Sequence, residues 1–224
     1  MLFLVPTPIG NLADITLRAI DVLRSVDLIA CENTRNSAVL LSHHGIATPT
    51  ISYHNHNERS RGPQLIERMK VGQNIALISD AGSPGLSDPG FYLVRKCWEE
   101  EIHIESLPGA TALIPALTAS GLPSDRFVFE GFLPVRKGRK KRLEAIRTET
   151  RTIVLYESPH RLIRTLNDLI HVVGEKRMAS IARELSKKFE EIHRDELGHL
   201  LYFYAQKSAV KGEFVIILAP PQFQ

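Results

Sequence analysis

The sequence predicts an α/β protein made of two α/β domains of about equal size, residues 1–117 and 118–224. Short apolar runs alternate with longer amphipathic segments, a pattern typical of strands and helices layered around a mostly parallel sheet. A linker-like stretch, Gly-Leu-Pro-Ser-Asp at 121–125, separates the two halves. With 224 residues, 43% of them hydrophobic, the chain is long enough to bury a large core.

In the first domain, apolar runs predict strands, and amphipathic segments predict helices. Leu17, Ile20, Leu23 and Val26 recur at a spacing of three and mark one face of a helix. The predicted strands span 1–5, 27–31, 50–53, 74–79 and 102–107. The predicted helices span 17–26, 34–43, 63–70, 89–101 and 109–120.

The second domain continues the alternation. Its predicted strands span 127–132, 152–156, 178–183 and 214–218. Its predicted helices span 136–148, 159–173 and 196–206, and the first of these is strongly basic.

Composition excludes several classes of protein. The first six residues are apolar but too few for a signal peptide or a membrane span, and no later apolar run approaches the usual ~18 residues of a span. Cys31 and Cys97 lack C-x-x-C spacing, which favours buried or idle thiols in a reducing cytoplasm, with a disulfide as the open alternative. We therefore predict a cytoplasmic protein without a membrane association.

The loop at 79–90 is the most informative feature for binding. An apolar strand, 75–78, ends there in small and turn-forming residues, as expected for a strand that delivers its end to a binding crevice. Asp80 can accept hydrogen bonds from a hydroxyl or an amine, and glycines such as Gly82 let a ligand approach the backbone. The loop has no lysine and no P-loop pattern, which favours a polar, uncharged or cationic ligand over a triphosphate.

Other strand ends carry similar loops, each with a structural alternative. The loop at 6–12 is either a ligand loop or a rigid turn. Glu32 and Arg35 are either a salt bridge or a polar pair facing the crevice, with Arg35 available for a phosphate. The small residues at 108–112 open a helix whose N–H groups would meet a ligand carboxylate, unless they serve close packing.

The segment at 53–58 holds two histidines, His54 and His56, which suggest a metal only weakly because no further ligands complete a site. Asn57 as a helix cap and an RNA- or substrate-facing role are the alternatives. We predict no metal.

Basic residues concentrate at 136–142, where six of seven are Arg or Lys. They fall at a predicted helix start, where the helix dipole disfavours cations. We expect contact with a polyphosphate to offset this unfavourable position. A solvated charged face is the alternative. Ser158 and Pro159 can cap the following helix, while His160 and Arg161 could reach the crevice or an RNA backbone.

Taken together, these segments resemble the ribosomal RNA small subunit methyltransferase I family of the tetrapyrrole methylase superfamily. The resemblance covers nearly the whole chain, from about residue 4 to residue 218. The segments that carry it are VPTPIGNLADIT (5–16), ENTR (32–35), YHNHNE (53–58), ISDAGSPGLSDPG (78–90), LPGATA (107–112), FEGFLP (129–134), YESPHRL (156–162), ARELSK (182–187) and KGEF (211–214).

The resemblance implies methyl transfer from S-adenosyl-L-methionine to the ribose 2′-hydroxyl of a cytidine in the decoding region of small-subunit (16S) ribosomal RNA, free or within the 30S subunit. It also implies a homodimer of tetrapyrrole methylase type, with the cofactor in a cleft between two domains. The residues implied to line the cofactor are Pro6, Ile9, Asp80, Ala81, Gly82, Ser83, Gly109, Thr111, Ala112, Phe132, Ala182 and Gly212. The basic run gives the RNA-binding candidates Arg136, Lys137, Arg139, Lys140, Lys141 and Arg142.

For catalysis, we expect Glu32 to accept or relay the hydroxyl proton, with Arg35, His160 and Arg161 positioning the backbone phosphate. Three departures stand out: Asn33 replaces the usual Asp, Asp195-Glu196 replaces Gly-Thr, and many members continue beyond the last strand, with a tail that would grip RNA. Two other functions stay open, a methyltransferase for a small tetrapyrrole-like molecule and a non-catalytic RNA-binding module.

Overall fold

The computed structural model describes residues 1–223 and divides into two compact units, Met1–Thr111 and Ala112–Gln224. The predicted domain boundary, after residue 117, falls six residues beyond this division. The last residue of the predicted second domain, Gln224, lies outside the described residues. Within 1–223, no helix is both long enough and apolar enough to cross a membrane.

Unit 1 is built on a parallel five-stranded sheet in the order β3-β2-β4-β1-β5. The strands are β1 (Leu2–Leu4), β2 (Leu28–Cys31), β3 (Thr50–Ser52), β4 (Ile75–Ile78) and β5 (Ile104–Ser106). In the centre, Ile75 of β4 lies opposite Leu2 of β1 and Leu28 of β2. All four residues of β4 are buried, because the sheet is covered on both faces.

Alternate residues of β4 enter two separate cores. Ile75 and Leu77 pack with Leu65 and Leu93, which belong to the helices α3 (Glu58–Lys70) and α4 (Phe91–Glu99). Ala76 and Ile78 pack on the opposite face with residues of α1 (Leu17–Ser25) and α2 (Thr34–His43). The period of two along the strand thus explains why its sequence is apolar throughout.

Two predicted helix starts in this part of the chain are wrong. α3 begins at Glu58 rather than at Pro63, and Pro63 lies inside the helix. Gly62, next to this proline, packs closely on Tyr92: a Cβ added at Gly62 would lie 2.7 Å from the Tyr92 ring. α5 (Leu113–Ala119) begins four residues after the predicted start at Gly109. Gly109 packs instead against Pro6, whose Cβ would lie 2.7 Å from a Cβ added at the glycine.

Unit 2 contains a mixed five-stranded sheet in the order β6-β7-β10-β8-β9. Its strands are β6 (Phe127–Phe132), β7 (Thr152–Glu157), β8 (Met178–Arg183), β9 (Glu191–Glu196) and β10 (Phe214–Leu218). Only β6 and β7 pair in parallel, and the other three pairs are antiparallel. The predicted mostly parallel sheet is therefore wrong for this unit, where the unpredicted strand β9 forms an edge.

Besides α5, which begins just after the division between the units, unit 2 contains the helices α6 (Arg139–Thr148), α7 (Leu162–Val173) and α8 (Leu197–Ala205). α6 and α7 each begin three residues later than predicted; Gly138, with φ of 86°, turns the chain into α6. Leu155, Leu166, Leu200 and Ile216 belong to one buried core between these helices and the sheet. In unit 1, Cys31 and Cys97 are buried free thiols, as predicted.

Candidate active site

The loops that follow β1 and β4 are joined at the same edge of the unit 1 sheet. Thr7 and Gly82 exchange two backbone hydrogen bonds, with N···O distances of 2.9 and 2.8 Å. The Thr7 hydroxyl also donates to the Ser79 carbonyl over 3.0 Å. Gly82 has φ of 83°, a conformation that favours glycine, and a Cβ added there would lie 3.7 Å from Ile9.

The segment after β5 joins the same group. The Ser83 hydroxyl donates to the Ala110 carbonyl over 3.2 Å, and Gly109 packs on Pro6 as described. Unit 1 thus brings together Pro6, Ile9, Gly109 and the 80–83 loop. Of the remaining candidates, Thr111 ends unit 1 and Ala112 begins unit 2.

Three carboxylates meet near this edge. Asp80 is exposed and accepts a 2.8 Å hydrogen bond from the Asn36 amide. Glu32, at the end of β2, accepts a hydrogen bond from the Asp80 backbone N–H. Burial raises the pKa of Glu32, and the neighbouring Asp80 charge adds to the rise, while that hydrogen bond and the charge of His54 oppose it.

Asp88 is the third carboxylate, and the sequence patterns assigned it no role. Burial raises the pKa of Asp88 to about 7; the charges of Glu32 and Asp80 add to the shift, and a hydrogen bond from Ser79 opposes it. A carboxyl group whose pKa lies near 7, and which has other carboxylates beside it, is a candidate for proton transfer. The sequence feature that could have drawn attention to Asp88 is its position in the 78–90 segment, one residue before Pro89.

Of the two alternatives for Glu32 and Arg35, the salt bridge does not form in the part of the chain that the structure describes. Arg35 is exposed on α2. Asn33 caps this helix, since its side-chain oxygen accepts from the N–H groups of Arg35 at 3.0 Å and Asn36 at 3.4 Å. Asn and Asp cap helices about equally well, so the departure at this position preserves the local fold.

The two histidines lie in the turn before α3, with ring centroids 5.8 Å apart. The Asn57 side chain accepts from the His54 N–H at 2.8 Å and donates to the Ser52 carbonyl at 3.2 Å. Asn57 is the N-cap residue of α3, in agreement with one of the alternatives, but its side chain closes the turn and makes no capping hydrogen bond. Residues 1–223 contain no cluster of three or more His, Cys, Asp or Glu placed to hold a metal ion.

A pocket of about 300 Å³ opens between the start of α3, the end of the 79–90 loop and α4. The Arg59 guanidinium carbon lies 4.5 Å from the centroid of the Tyr92 ring at this pocket. Its lining combines aromatic, cationic and acidic side chains: Asn55, Glu58, Arg59, Asp88, Gly90, Phe91, Tyr92, Arg95, Lys96 and Glu99.

In unit 2, the basic run has two kinds of member. Arg139 is only 5% exposed, and its guanidinium donates to Asp168 at 2.7 Å, Thr165 at 2.8 Å and the Pro134 carbonyl at 3.1 Å. These bonds tie α6 to α7, so we leave Arg139 out of the RNA-contacting set. The other five are exposed, although Arg142 pairs with Glu130 at 3.0 Å: Arg136, Lys137, Lys140, Lys141 and Arg142.

Arg161 also serves the local structure. It pairs with the buried Glu157 at 2.8 Å, donates to the Leu133 carbonyl at 3.0 Å, and lies 5.9 Å from the Phe132 ring centroid. Glu157 in addition accepts from the Thr165 hydroxyl over 2.6 Å. The predicted phosphate contact of Arg161 therefore competes with strong internal partners, whereas His160 is exposed.

Three predicted cofactor residues lie near one edge of the unit 2 sheet. β10 runs opposite to β7 and β8, so Gly212, just before β10, is near the ends of those strands. Phe132 pairs with Tyr156 of β7, and Ala182 is buried on β8. Gly212 has φ of 104° and fits against Glu184, whose Cγ would lie 2.5 Å from an added Cβ.

Comparison with known proteins decides the family. A sequence model described as Tetrapyrrole (Corrin/Porphyrin) Methylases matches residues 1–201. The chain belongs to the tetrapyrrole methylase family. Among its relatives, the Ribosomal RNA small subunit methyltransferase I of Escherichia coli O157:H7 is 51% identical over 219 residues, 97% of this chain and 77% of the relative. The protein of the same name from Synechocystis is 50% identical, over 98% of this chain and 78% of the relative. The chain is thus a member of the methyltransferase I group within the tetrapyrrole methylases.

Solved structures support the tetrapyrrole methylase fold. A uroporphyrin-III-C-methyltransferase from Thermus thermophilus aligns with a TM-score of 0.68 and 16% identity, covering 97% of this chain and 93% of the other. A diphthine synthase aligns with a TM-score of 0.74 and 15% identity, covering 97% and 89%. At these identities, the likeness concerns the fold alone.

Proposed function

We propose that this chain methylates the ribose 2′-hydroxyl of a cytidine in the decoding region of small-subunit ribosomal RNA. The broader activity, S-adenosylmethionine-dependent methylation of ribosomal RNA, follows from membership in the methyltransferase I group. The observation that carries it is identity of about half over nearly the whole chain.

The residues of unit 1 fit S-adenosylmethionine. This cofactor carries a positive sulfonium and ribose hydroxyls, which suit carboxylates and backbone groups. The joined loops after β1, β4 and β5 contain neither Lys nor Arg, and the exposed carboxylate of Asp80 lies among them. In unit 1 we assign the cofactor to Pro6, Ile9, the 80–83 loop, Gly109 and Thr111. The candidates in unit 2, Ala112, Phe132, Ala182 and Gly212, stay predictions from the family resemblance.

When bound, the cofactor supplies a methyl group activated by its sulfonium. The chain must orient a ribose hydroxyl, which is a weak nucleophile, and must take its proton. Orientation contributes several kcal/mol to such reactions, and a general base contributes roughly 10²–10⁴-fold in rate. Glu32 is the base or relay that the sequence suggested, and Asp88 is a second carboxylate of the same group. The exposed Arg35 and His160 keep their proposed role beside the RNA phosphates, whereas Arg161 holds the loop that carries His160.

Binding of the RNA backbone is assigned to the exposed members of the basic run, Arg136, Lys137 and 140–142. Cations that neutralise phosphates make the affinity for RNA fall with salt concentration. A methyltransferase for a small tetrapyrrole-like molecule would not need these side chains for substrate binding. That alternative therefore predicts that their neutralisation leaves the activity unchanged and insensitive to salt.

The test is transfer of labelled methyl from S-adenosylmethionine to small ribosomal subunits purified from a strain that lacks the gene. We expect label in the RNA and, after alkaline hydrolysis, in a dinucleotide that resists cleavage, because a 2′-O-methyl group removes the hydroxyl that alkali requires. Label released in a mononucleotide would contradict the ribose assignment. Absence of label from the subunits would contradict the function.

We also propose that the enzyme is a cytoplasmic homodimer, as family resemblance suggests. Light scattering of the purified chain should give twice the 25.1 kDa mass of one chain. A mass of one chain at micromolar concentration would contradict the dimer.

A further inference from the structure

The segment at the end of β6, residues 130–135, exposes two apolar side chains. Phe132 is 50% exposed and Val135 is 57% exposed, whereas Leu133 between them is buried in the core of unit 2. A bulge in the pairing of β6 with β7 comes just before Phe132, and Gly131 has φ of 60°. Such bulges redirect side chains and are frequent beside functional sites.

This segment is held firmly at its backbone. Three contacts join it to α6 and to the start of α7: Arg161 to the Leu133 carbonyl at 3.0 Å, Arg139 to the Pro134 carbonyl at 3.1 Å, and Arg142 to Glu130 at 3.0 Å. Hydrogen bonds from charged donors are stronger than those between neutral groups. The two exposed side chains therefore stand on an ordered base, and a ligand would not have to order the segment in order to bind it.

Positive charge borders the exposed aromatic ring. The Arg161 guanidinium carbon lies 5.9 Å from the centroid of the Phe132 ring, and the Tyr156 ring packs against the same ring edge-on at 5.7 Å. Two exposed cations of the basic run, 136–137, follow Val135 directly in the chain. The surface thus combines an aromatic face with cations on the same segment.

Single-stranded RNA carries the groups that match both features. Unpaired bases stack on aromatic rings and on guanidinium planes, and the phosphates that flank each base are bound by Arg and Lys. A base within a paired helix cannot use such a ring, because its faces are already stacked on its neighbours. The combination therefore favours an unpaired nucleotide over duplex RNA, and its charge favours RNA over a neutral apolar partner.

We propose that Phe132 is a stacking platform for an unpaired base of the ribosomal RNA substrate. This inference rests on the proposed function. Val135 contacts the same nucleotide, Arg136 and Lys137 contact the phosphates beside it, and Arg161 holds the platform in place. Phe132 thereby receives a role other than the cofactor contact that the family resemblance implied, and the two roles predict opposite results for cofactor binding.

Binding is tested by comparing Phe132→Ala with Phe189→Ala on unmodified small ribosomal subunits. Phe189 is another exposed phenylalanine of unit 2 with a cation beside it, since the Lys188 Nζ lies 5.7 Å from its ring centroid. We expect Phe132→Ala to weaken binding about ten-fold, a typical loss for one stacked base, and Phe189→Ala to stay within about two-fold. Phe132→Trp keeps an aromatic face and should bind like the wild type.

Two further measurements separate stacking from charge. Loss of a stacked base releases no counterions, so Phe132→Ala should keep the wild-type slope of log affinity against log salt. A short single-stranded RNA of mixed sequence should show the same loss of affinity, whereas an abasic version of that RNA should bind the wild type and Phe132→Ala equally. Fluorescence anisotropy of the labelled RNAs measures both.

The outcomes that would overturn the platform are distinct. Equal subunit binding by Phe132→Ala and Phe189→Ala would refute it. A loss on subunits but not on single-stranded RNA would mean that the ring contacts a ribosomal protein. Weaker S-adenosylmethionine binding by Phe132→Ala in calorimetry would assign the ring to the cofactor; the unchanged affinity that we expect also shows that the variant is folded. If the wild type fails to methylate subunits, the proposed function fails, and the binding comparisons still judge the platform.

Discussion

The two units differ in whether their buried and half-buried acids have basic partners. In unit 1, the half-buried Glu32 and Asp88 lie beside the exposed Asp80, and among residues 1–223 no Arg or Lys forms an ion pair with any of the three. Burial and mutual repulsion raise the pKa values of Glu32 and Asp88. In unit 2, the comparable acids have basic partners: Glu157 with Arg161, and Asp168 with Arg139.

The same contrast appears at Glu184. Burial works against its charge, yet hydrogen bonds from the Glu213 N–H and from Lys187 lower the pKa of Glu184. Paired acids of this kind hold elements together, whereas unpaired acids with raised pKa values are typical of reacting groups. We infer that the proton chemistry is carried by unit 1, and that the buried charges of unit 2 are structural.

The largest effect should come from Glu32→Gln. Gln keeps an oxygen that can accept from the Asp80 N–H but removes the charge. We expect a rate at least about ten-fold lower with unchanged cofactor affinity. Single-turnover kinetics measure the rate and calorimetry measures the cofactor affinity, and an unchanged rate would remove Glu32 from the chemistry.

On the unit 2 side, Arg139→Ala should act on stability. The substitution leaves Asp168 and Thr165 without their partner, so we expect the free energy of unfolding to fall by about 2–3 kcal/mol, somewhat less than for a fully buried pair because Asp168 is partly exposed. Lys140→Ala, one residue along on the exposed side, is the control and should change little. Urea titration measures both; an Arg139→Ala protein as stable as the control would break the contrast between the units.

A smaller effect is expected when the exposed cations of the basic run are removed. Replacing Arg136, Lys137, Lys140 and Lys141 with Gln should weaken subunit binding and reduce its salt dependence by up to about 0.7–0.9 log units per log unit of salt for each phosphate that is no longer neutralised. Filter binding across salt concentrations measures the slope. The control removes the same number of exposed arginines elsewhere: Arg24, Arg68, Arg147 and Arg164. Equal slopes in both variants would assign RNA binding to another surface.

The smallest effect concerns the stability cost of Asp88. Because its folded pKa is above the ordinary value for Asp, the folded state binds the proton more tightly, and stability is lost as pH rises from about 4 through 7. Asp88→Asn removes this loss. Its melting temperature should exceed that of the wild type at pH 8, and the difference should shrink towards pH 4. A difference independent of pH would mean that Asp88 is not titrating.

Much of the fold could be predicted from apolar patterning. The bounds of α2, β6, β8 and β10 match the prediction, because each is a compact run with clear polar flanks. β9 was missed since its sequence, Glu-Ile-His-Arg-Asp-Glu, is that of a charged edge strand with one partner. The start of α5 was wrong because the packing of Gly109 on Pro6, over 100 residues apart, is invisible to local patterns.

The grouping of the candidate loops in unit 1 could also be predicted. Parallel strands end at one edge, so residues after β1, β4 and β5 could be grouped from the order of elements alone. The burial of individual charged side chains could not be predicted, because no local sequence pattern reports it. Burial distinguishes Arg139 from its exposed neighbours, and it raises the pKa of Asp88. Charge counts along the chain treat all members of the basic run alike.

The position of β1 has a consequence for synthesis. β1 is made before β4 and β5 yet lies between them, so neither partner exists until Ile75 and then Ser106 have been translated. β2 and β3, in contrast, can pair soon after they emerge from the ribosome. The apolar side chains of β1 therefore stay unprotected until both partners are made, and chaperone binding to nascent chains that end before Ser106 would be the expected sign of this delay.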